Sequence, residues 1–180
     1  MQDIEKVLIS KEQLQKRIEA IAQDISVDFK GEEVLFVCIL RGSAIFFADL
    51  IRKVKDCDVK IDFMAISSYG AGATSSGEVK MIKDLNTRIE GMNVIVVEDI
   101  IDSGRTLKYL KQLLWARNPK DLKICTLLDK PLRREVELEG DYVGFTIPNE
   151  FVVGYGLDYA ERYRNLEEVC VLAPSVYESK

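Results

Sequence analysis

At 180 residues the chain is long enough to bury a substantial core and is most simply one domain. Its 47% hydrophobic and 31% charged residues are ordinary for a soluble globular protein, and its net charge of −5 speaks against general nucleic-acid binding, which calls for a basic excess. It has no histidine, which excludes imidazole acid–base work, histidine-bearing triads and histidine-ligated zinc, so proton transfer falls to carboxylate, lysine, tyrosine or the substrate.

The first residues, Met1-Gln2-Asp3-Ile4-Glu5-Lys6, are charged and lack the apolar core of a signal peptide. No run reaches the roughly 20 apolar residues of a membrane helix. Leu14, Ile18, Ile21 and Ile25 recur at three- and four-residue steps and predict an amphipathic helix from Lys11 to about Asp24. Val34 to Leu40 is a continuous apolar run, read as a buried strand, punctuated by Arg41-Gly42-Ser43 and followed by a helix from Ala44 to Val54. Val59 to Ser67 is the next strand. The stretch 68–77 is too small and polar to pack, and Val79 to Lys83 reads as a short strand returning from it. A central strand spans Met92 to Val97, a helix Thr106 to Ala116, and a further strand Leu122 to Leu128. Tyr142 to Val153 is β-rich and broken by Pro148, and Val169 to Leu172 makes a last short strand.

Strands alternating with helices imply an α/β fold, with a mostly parallel central sheet flanked by helices on both faces and a small β-rich C-terminal hood from about residue 130 to 180. Neither a repeat nor a linker divides residues 1–180. Cys38, Cys57, Cys125 and Cys170 form no Cys-x-x-Cys pair and read as reduced thiols of a cytoplasmic protein.

The most informative run is 94–106, Val-Ile-Val-Val-Glu-Asp-Ile-Ile-Asp-Ser-Gly-Arg-Thr. An apolar strand feeding a loop and then a helix is the unit whose ligands bind at the carboxyl ends of strands. Ser103, Gly104, Arg105 and Thr106 bring backbone N–H groups, two hydroxyls and a cation to a helix N-terminus, which is an anion site suited to phosphate. Glu98, Asp99 and Asp102 beside it suit sugar hydroxyls or a hard cation such as Mg²⁺. Taken singly, Asp102 and Ser103 also read as helix-cap residues. Two adjacent carboxylates ending a buried strand need a partner, since like charges repel.

Other pieces are weaker alone. Leu40-Arg41-Gly42 ends a strand at the same sheet edge as Glu98, and its amides offer a second anion site or a plain turn. Lys130 follows a strand, where it can donate to a ligand carbonyl or stay solvated. The chain carries neither a dinucleotide fingerprint nor a P-loop. The 68–77 stretch reads either as a surface loop or as a lid.

Together these pieces resemble the type I phosphoribosyltransferases, and within them the hypoxanthine–guanine branch. The family marker is 94–106; the branch marker is 144–159, Gly-Phe-Thr-Ile-Pro-Asn-Glu-Phe-Val-Val-Gly-Tyr-Gly-Leu-Asp-Tyr, with Leu40-Arg41-Gly42, Ser68-Tyr69 and Leu127-Leu128-Asp129-Lys130 in support. The resemblance implies that Glu98 and Asp99 bind the ribose hydroxyls directly or through Mg²⁺, and that Ser103, Gly104, Arg105 and Thr106 hold the 5′-phosphate. It implies that Asp102 is the acid–base group at purine N7, that Lys130 donates to O6, that Phe151 stacks on the ring, and that the Val152 backbone meets its pyrimidine edge. Asp158 would bind a Mg²⁺ on the pyrophosphate, which Leu40, Arg41, Gly42 and Arg164 contact. Ser68 and Tyr69 would begin a lid, and the Leu40–Arg41 peptide would be cis. Ser103 stands where threonine is commoner, and it keeps the hydroxyl.

The implied reaction is Mg²⁺-dependent transfer of phosphoribosyl from 5-phosphoribosyl 1-pyrophosphate to a 6-oxopurine. The implied partners are those small molecules and copies of the chain in a homodimer or homotetramer, with neither nucleic acid nor membrane. A sugar-phosphate-sensing regulator, a phosphoribosyltransferase for adenine or orotate, and a Mg²⁺ hydrolase using Asp99 as nucleophile are the rival readings. The acidic balance and short N-terminus disfavour the first, and Lys130 together with 151–158 disfavours the other two.

Overall fold

A computed structural model describes residues 3–68 and 79–178. In chain order they form β1 (Ile4–Ile9), α1 (Lys11–Asp28), β2 (Glu33–Leu40), α2 (Ala44–Ile51), β3 (Asp58–Ser68), β4 (Val79–Lys83), β5 (Asn93–Ile101), α3 (Arg105–Trp115) and β6 (Asp121–Asp129). A 3₁₀ turn at Pro131–Arg133 follows, then β7 (Tyr142–Thr146), β8 (Val152–Val153), β9 (Val169–Leu172) and a single helical turn α4 (Pro174–Tyr177).

Local chemistry sets the ends of these elements. Ser10 opens α1 with a capping box: its hydroxyl accepts from Gln13 N–H at 3.3 Å, while Gln13 Oε1 accepts from Ser10 N–H at 2.8 Å. The helix then runs to Asp28, past the expected Asp24, with Leu14, Ile18, Ile21 and Ile25 fully buried. α2 stops at Ile51, three residues before the expected Val54.

Six strands make the central sheet in the order β4-β3-β2-β5-β6-β7, all parallel except the β3–β4 hairpin. Alternation along β2 and β5 divides their side chains between two cores. Val34, Phe36, Cys38, Ile95 and Val97 meet α1 and α2 on one face, and Leu35, Val37, Val94 and Val96 meet Leu107, Leu110 and Leu114 of α3 on the other. The sheet is therefore buried on both sides, as its unbroken apolar runs require.

The hood is a three-stranded antiparallel sheet, β1-β9-β8. Its composition departs from the sequence reading in two ways. β7, which lies in the β-rich C-terminal stretch, joins the central sheet as its edge strand beside β6. β1 comes from the N-terminus to complete the hood. A charged six-residue strand with only Ile9 buried carries no alternation signal of its own; it exists because Val169–Leu172 offers it a partner. The expected lid begins at Ser68, the last residue of β3, and Tyr69 with the rest of 69–77 lies outside the described residues.

Candidate functional site

β5 does not stop where its carboxylates begin. It continues through Glu98 and Asp99 to Ile101, four residues past the expected Val97. The reason is one-sided pairing: β2 pairs with β5 only up to Cys38↔Val97, whereas β6 stays paired through Glu98↔Thr126, Ile100↔Leu128 and Ile101↔Asp129. β2 ends at Leu40, and the Leu40–Arg41 peptide is cis, as expected. The chain that leaves β2 opens a cleft beside the last turn of β5, at the carboxyl edge of the sheet.

That cleft has a volume of about 480 Å³. It brings together Leu40, Arg41, Gly42, Glu98, Asp99, Asp102, Ser103, Gly104, Thr106, Asp158 and Arg164. Gly42 is needed for its size: a β-carbon there would lie 1.6 Å from Asp99 Oδ2. Gly104, at φ +80°, is the N-cap of α3 and turns the chain into the helix. Ser103 Oγ accepts from Arg105 N–H, the first amide of α3, at 3.4 Å, and the Asp102 side chain makes no such bond among the described residues. The helix dipole of α3 points at the cleft, with Ser103, Gly104 and Thr106 at its border. Arg105 takes a different course, since its guanidinium does not border the cleft and Nε forms an ion pair with Glu135 at 2.5 Å.

The carboxylates are under electrostatic load. Glu98 Oε2 is buried and lacks a hydrogen-bond partner among the described residues. Burial, then the neighbouring Asp99, pushes the Glu98 carboxyl well above its ordinary range. Burial likewise pushes Asp99 up to about 6, against the relief of the Ile100 amide and Arg164. Asp158 is paired with Arg164 at 3.0 Å, and Arg164 reaches on to Gly156 O at 2.8 Å. Glu161 joins the group through Arg41, 3.0 Å away.

Among the described residues no three acidic or sulfur ligands converge into a cage for a metal ion. The set still fits Mg²⁺, which keeps several waters and takes one or two carboxylates together with substrate phosphates. An orphaned, charge-stressed carboxylate in an open cleft is the donor such an ion uses.

A second cavity, of about 410 Å³, adjoins the first, and Ile100, Asp102 and Asp158 border both. Lys130, Phe151 and Val152 line it, as the sequence reading required, together with Arg133, Glu150, Leu157 and Tyr177. Lys130 is only 7% exposed, and its Nζ donates to Glu150 O at 2.7 Å. Desolvation lowers its pKa below the ordinary lysine range, partly offset by Asp102. Phe151 is stacked on Tyr177, with centroids 5.0 Å apart, and meets Tyr159 edge-on at 5.5 Å.

The sequence reading missed Arg133, whose Nε donates to Asp102 Oδ1 at 2.8 Å. The signal was the first of two further cationic positions directly after Lys130-Pro131-Leu132. It also missed Leu157 and Tyr177, which no local pattern marks as cavity residues.

Comparison with known proteins places this geometry. A model of the phosphoribosyl transferase domain matches residues 9–160. The bifunctional protein TilS/HprT of Listeria monocytogenes is 55% identical over 97% of this chain, which spans 27% of that longer protein. The hypoxanthine-guanine phosphoribosyltransferase of Bacillus subtilis is 51% identical, with 98% of each chain covered. A crystal structure of a hypoxanthine-guanine phosphoribosyltransferase from Bacillus anthracis superposes with a TM-score of 0.90 at 54% identity, covering 94% of this chain and 99% of that one.

Proposed function

The chain belongs to the phosphoribosyl transferase domain family, and from that premise we propose that it transfers the 5-phosphoribosyl group of 5-phosphoribosyl 1-pyrophosphate to N9 of hypoxanthine or guanine. The products are IMP or GMP and pyrophosphate. The observation that carries this reading is the pair of adjoining cavities, one polar and anion-seeking, the other aromatic with a buried lysine, which meet at Asp102.

In the polar cleft the amides and hydroxyls of Ser103, Gly104 and Thr106 hold the 5′-phosphate. Arg105, turned toward Glu135, would have to swing to add its charge. Glu98 and Asp99 take the ribose hydroxyls, and Leu40, Arg41, Gly42 and Arg164 hold the pyrophosphate. As pyrophosphate leaves, C1′ becomes oxocarbenium-like, so the cations that bind the leaving group count most in the transition state. Mg²⁺ at the ribose would be held by Glu98 and Asp99, and Mg²⁺ on the pyrophosphate by Asp158, where it would neutralise charge on the leaving group.

In the second cavity Phe151 offers its ring to the base, and the Val152 backbone meets the pyrimidine edge. Lys130 exchanges the Glu150 carbonyl for purine O6. Asp102 accepts the N7 proton on the side that faces the sugar. An adenine amino group cannot accept from the ammonium, and the lost charge-assisted bond is worth about 1.5–3 kcal/mol. The stretch beginning at Ser68 and Tyr69 serves as the lid that keeps water from the ribosyl cation.

A single domain, 1–180, performs the reaction in the cytoplasm, and copies assemble as a homodimer or homotetramer. Among the described residues no helix is long and apolar enough to cross a membrane.

The test is nucleotide formation from 5-phosphoribosyl 1-pyrophosphate and Mg²⁺ with hypoxanthine, guanine, xanthine and adenine offered separately. Turnover of the 6-oxopurines without adenine is expected. Binding of the sugar phosphate with no turnover of any base would overturn the reading in favour of a sensor.

A further inference from the structure

We propose that Arg133 is a positioning residue for the proton step, holding one oxygen of Asp102 so that the other faces N7 of the base. The proposal rests on the acid–base role given to Asp102 above.

Asp102 stands on the loop between β5 and α3, a poor place from which to aim a carboxylate, and caps nothing. Among the described residues its carboxylate has one cation within ion-pair distance, Arg133, whose Nε donates to Oδ1 at 2.8 Å. Arg133 is held in turn by the 3₁₀ turn, through its own N–H to Lys130 O at 3.0 Å. The same turn therefore fixes Lys130 and Arg133, which border the base cavity together. One would read O6 while the other aims the group that reads N7, so the two contacts to the base keep their spacing.

Arginine suits this task better than a second acid or a neutral donor. It stays protonated under all working conditions, so it does not compete with the base for the proton. Its charge also makes the hydrogen bond to the carboxylate stronger than one from a neutral donor.

The next residue shows what a structural arginine looks like in the same turn. Arg134 is 14% exposed at its side chain, pairs with Asp129, and donates to Leu138 O at 2.8 Å. It reaches the Asp102 carbonyl at 3.4 Å, and its Cδ would lie 2.9 Å from a β-carbon on Gly104. Arg134 supports the backbone of the phosphate loop, whereas the Arg133 side chain, half in solvent, has the Asp102 carboxylate as its one hydrogen-bond partner among the described residues. An exposed ion pair contributes little to stability, so an effect of removing Arg133 would be read in the chemistry.

Steady-state kinetics in both substrates, with thermal melting, on Arg133→Leu, Arg133→Lys, Asp102→Asn and the double variant Asp102→Asn/Arg133→Leu tests this. Expected is a fall in kcat of about three- to tenfold for Arg133→Leu, with Tm and the KM for 5-phosphoribosyl 1-pyrophosphate unchanged. Arg133→Lys should recover most of it, and Arg133→Leu should cost nothing further on top of Asp102→Asn. Full kcat in Arg133→Leu, or the same fall with and without Asp102, overturns the proposal while leaving Asp102 in its role. Full kcat in Asp102→Asn overturns both.

Discussion

The two ends of β2 and β5 treat buried polar groups in opposite ways. At their amino ends Asn93 donates to Glu32 Oε2 at 2.6 Å and to Glu33 O at 3.1 Å, and Lys120 closes on the same Glu32 carboxylate at 2.7 Å. That contact with Lys120, then with Asn93, holds the Glu32 carboxyl below its ordinary range. At the carboxyl ends Glu98 keeps a buried oxygen without a hydrogen-bond partner among the described residues, and Asp99 is pushed up to about 6. Both ends lie on the same paired strands, so backbone regularity does not distinguish them. The difference is that β2 turns away at Leu40 and removes the neighbour that would have satisfied Glu98 and Asp99. One end is finished by the chain itself, and the other is left for a ligand to finish.

The largest expected effect tests whether the carboxyl end holds its charges at the expense of stability. Asp99→Asn should lower kcat/KM by about a hundredfold or more. The same change should raise the Tm of the ligand-free protein at pH 8 by about 2–8 °C, matching about 1–2 kcal/mol after allowance for the open cleft. Scanning calorimetry without substrate reads the second half, and a fall in Tm would break the comparison.

Lys130→Met comes next. It removes the cation proposed to orient the base while leaving the sugar-phosphate cleft intact, so kcat/KM for hypoxanthine should drop about ten- to a hundredfold. The KM for 5-phosphoribosyl 1-pyrophosphate should hold, and competition between hypoxanthine and adenine should narrow. An unchanged preference would remove Lys130 from base selection.

Acidity sharpens the contrast further. The folded-state value of about 6 for Asp99 lies above its ordinary 3.8, so the native protein holds that proton more tightly than the unfolded chain does. The contribution of this group to stability is thus fully present below about 4 and is lost as pH rises through about 6. A cationic ligand that favours the ionised form reverses the trend. The Tm increase produced by 5-phosphoribosyl 1-pyrophosphate with Mg²⁺ should therefore grow between pH 5 and 7.5, and an increase that shrinks over that range contradicts the assignment.

The smallest effect belongs to the finished end. Asn93→Ala leaves Glu33 O and Glu32 short of a donor and should lower Tm by a few degrees, about 1–2 kcal/mol, with kcat unchanged. A loss of kcat without a loss of Tm would show that the two ends are coupled through β5.

Much of this was legible in the chain because it is local. Three- and four-residue steps in 14–25 mark α1, continuous apolar runs mark β2, β5 and β6, and the run from Glu98 to Thr106 carries its own chemistry. Apart from the ends of α1 and α2, the departures are non-local. β5 outran its expected end because β6 goes on pairing with it. β1 had no signal because its partner β9 lies more than 150 residues away. β7 looked like hood and is sheet, because only β6 can tell a strand which side to join. Arg105 was expected at the phosphate and faces Glu135, a residue on a connection that sequence alone does not place.

The sequence by itself determined the α/β class, the order of most elements and the list of groups able to bind a phosphate, a sugar and a base, since each depends on residues within one turn or one strand. Only the tertiary structure decided which of those groups share a cavity. It set Asp102 between the two clefts, brought Arg164 and Asp158 of the C-terminal region to the edge of β5, and left Glu98 Oε2 without a hydrogen-bond partner among the described residues. Such facts follow from where β2 departs and where the hood lands, and those are settled by packing across the whole chain.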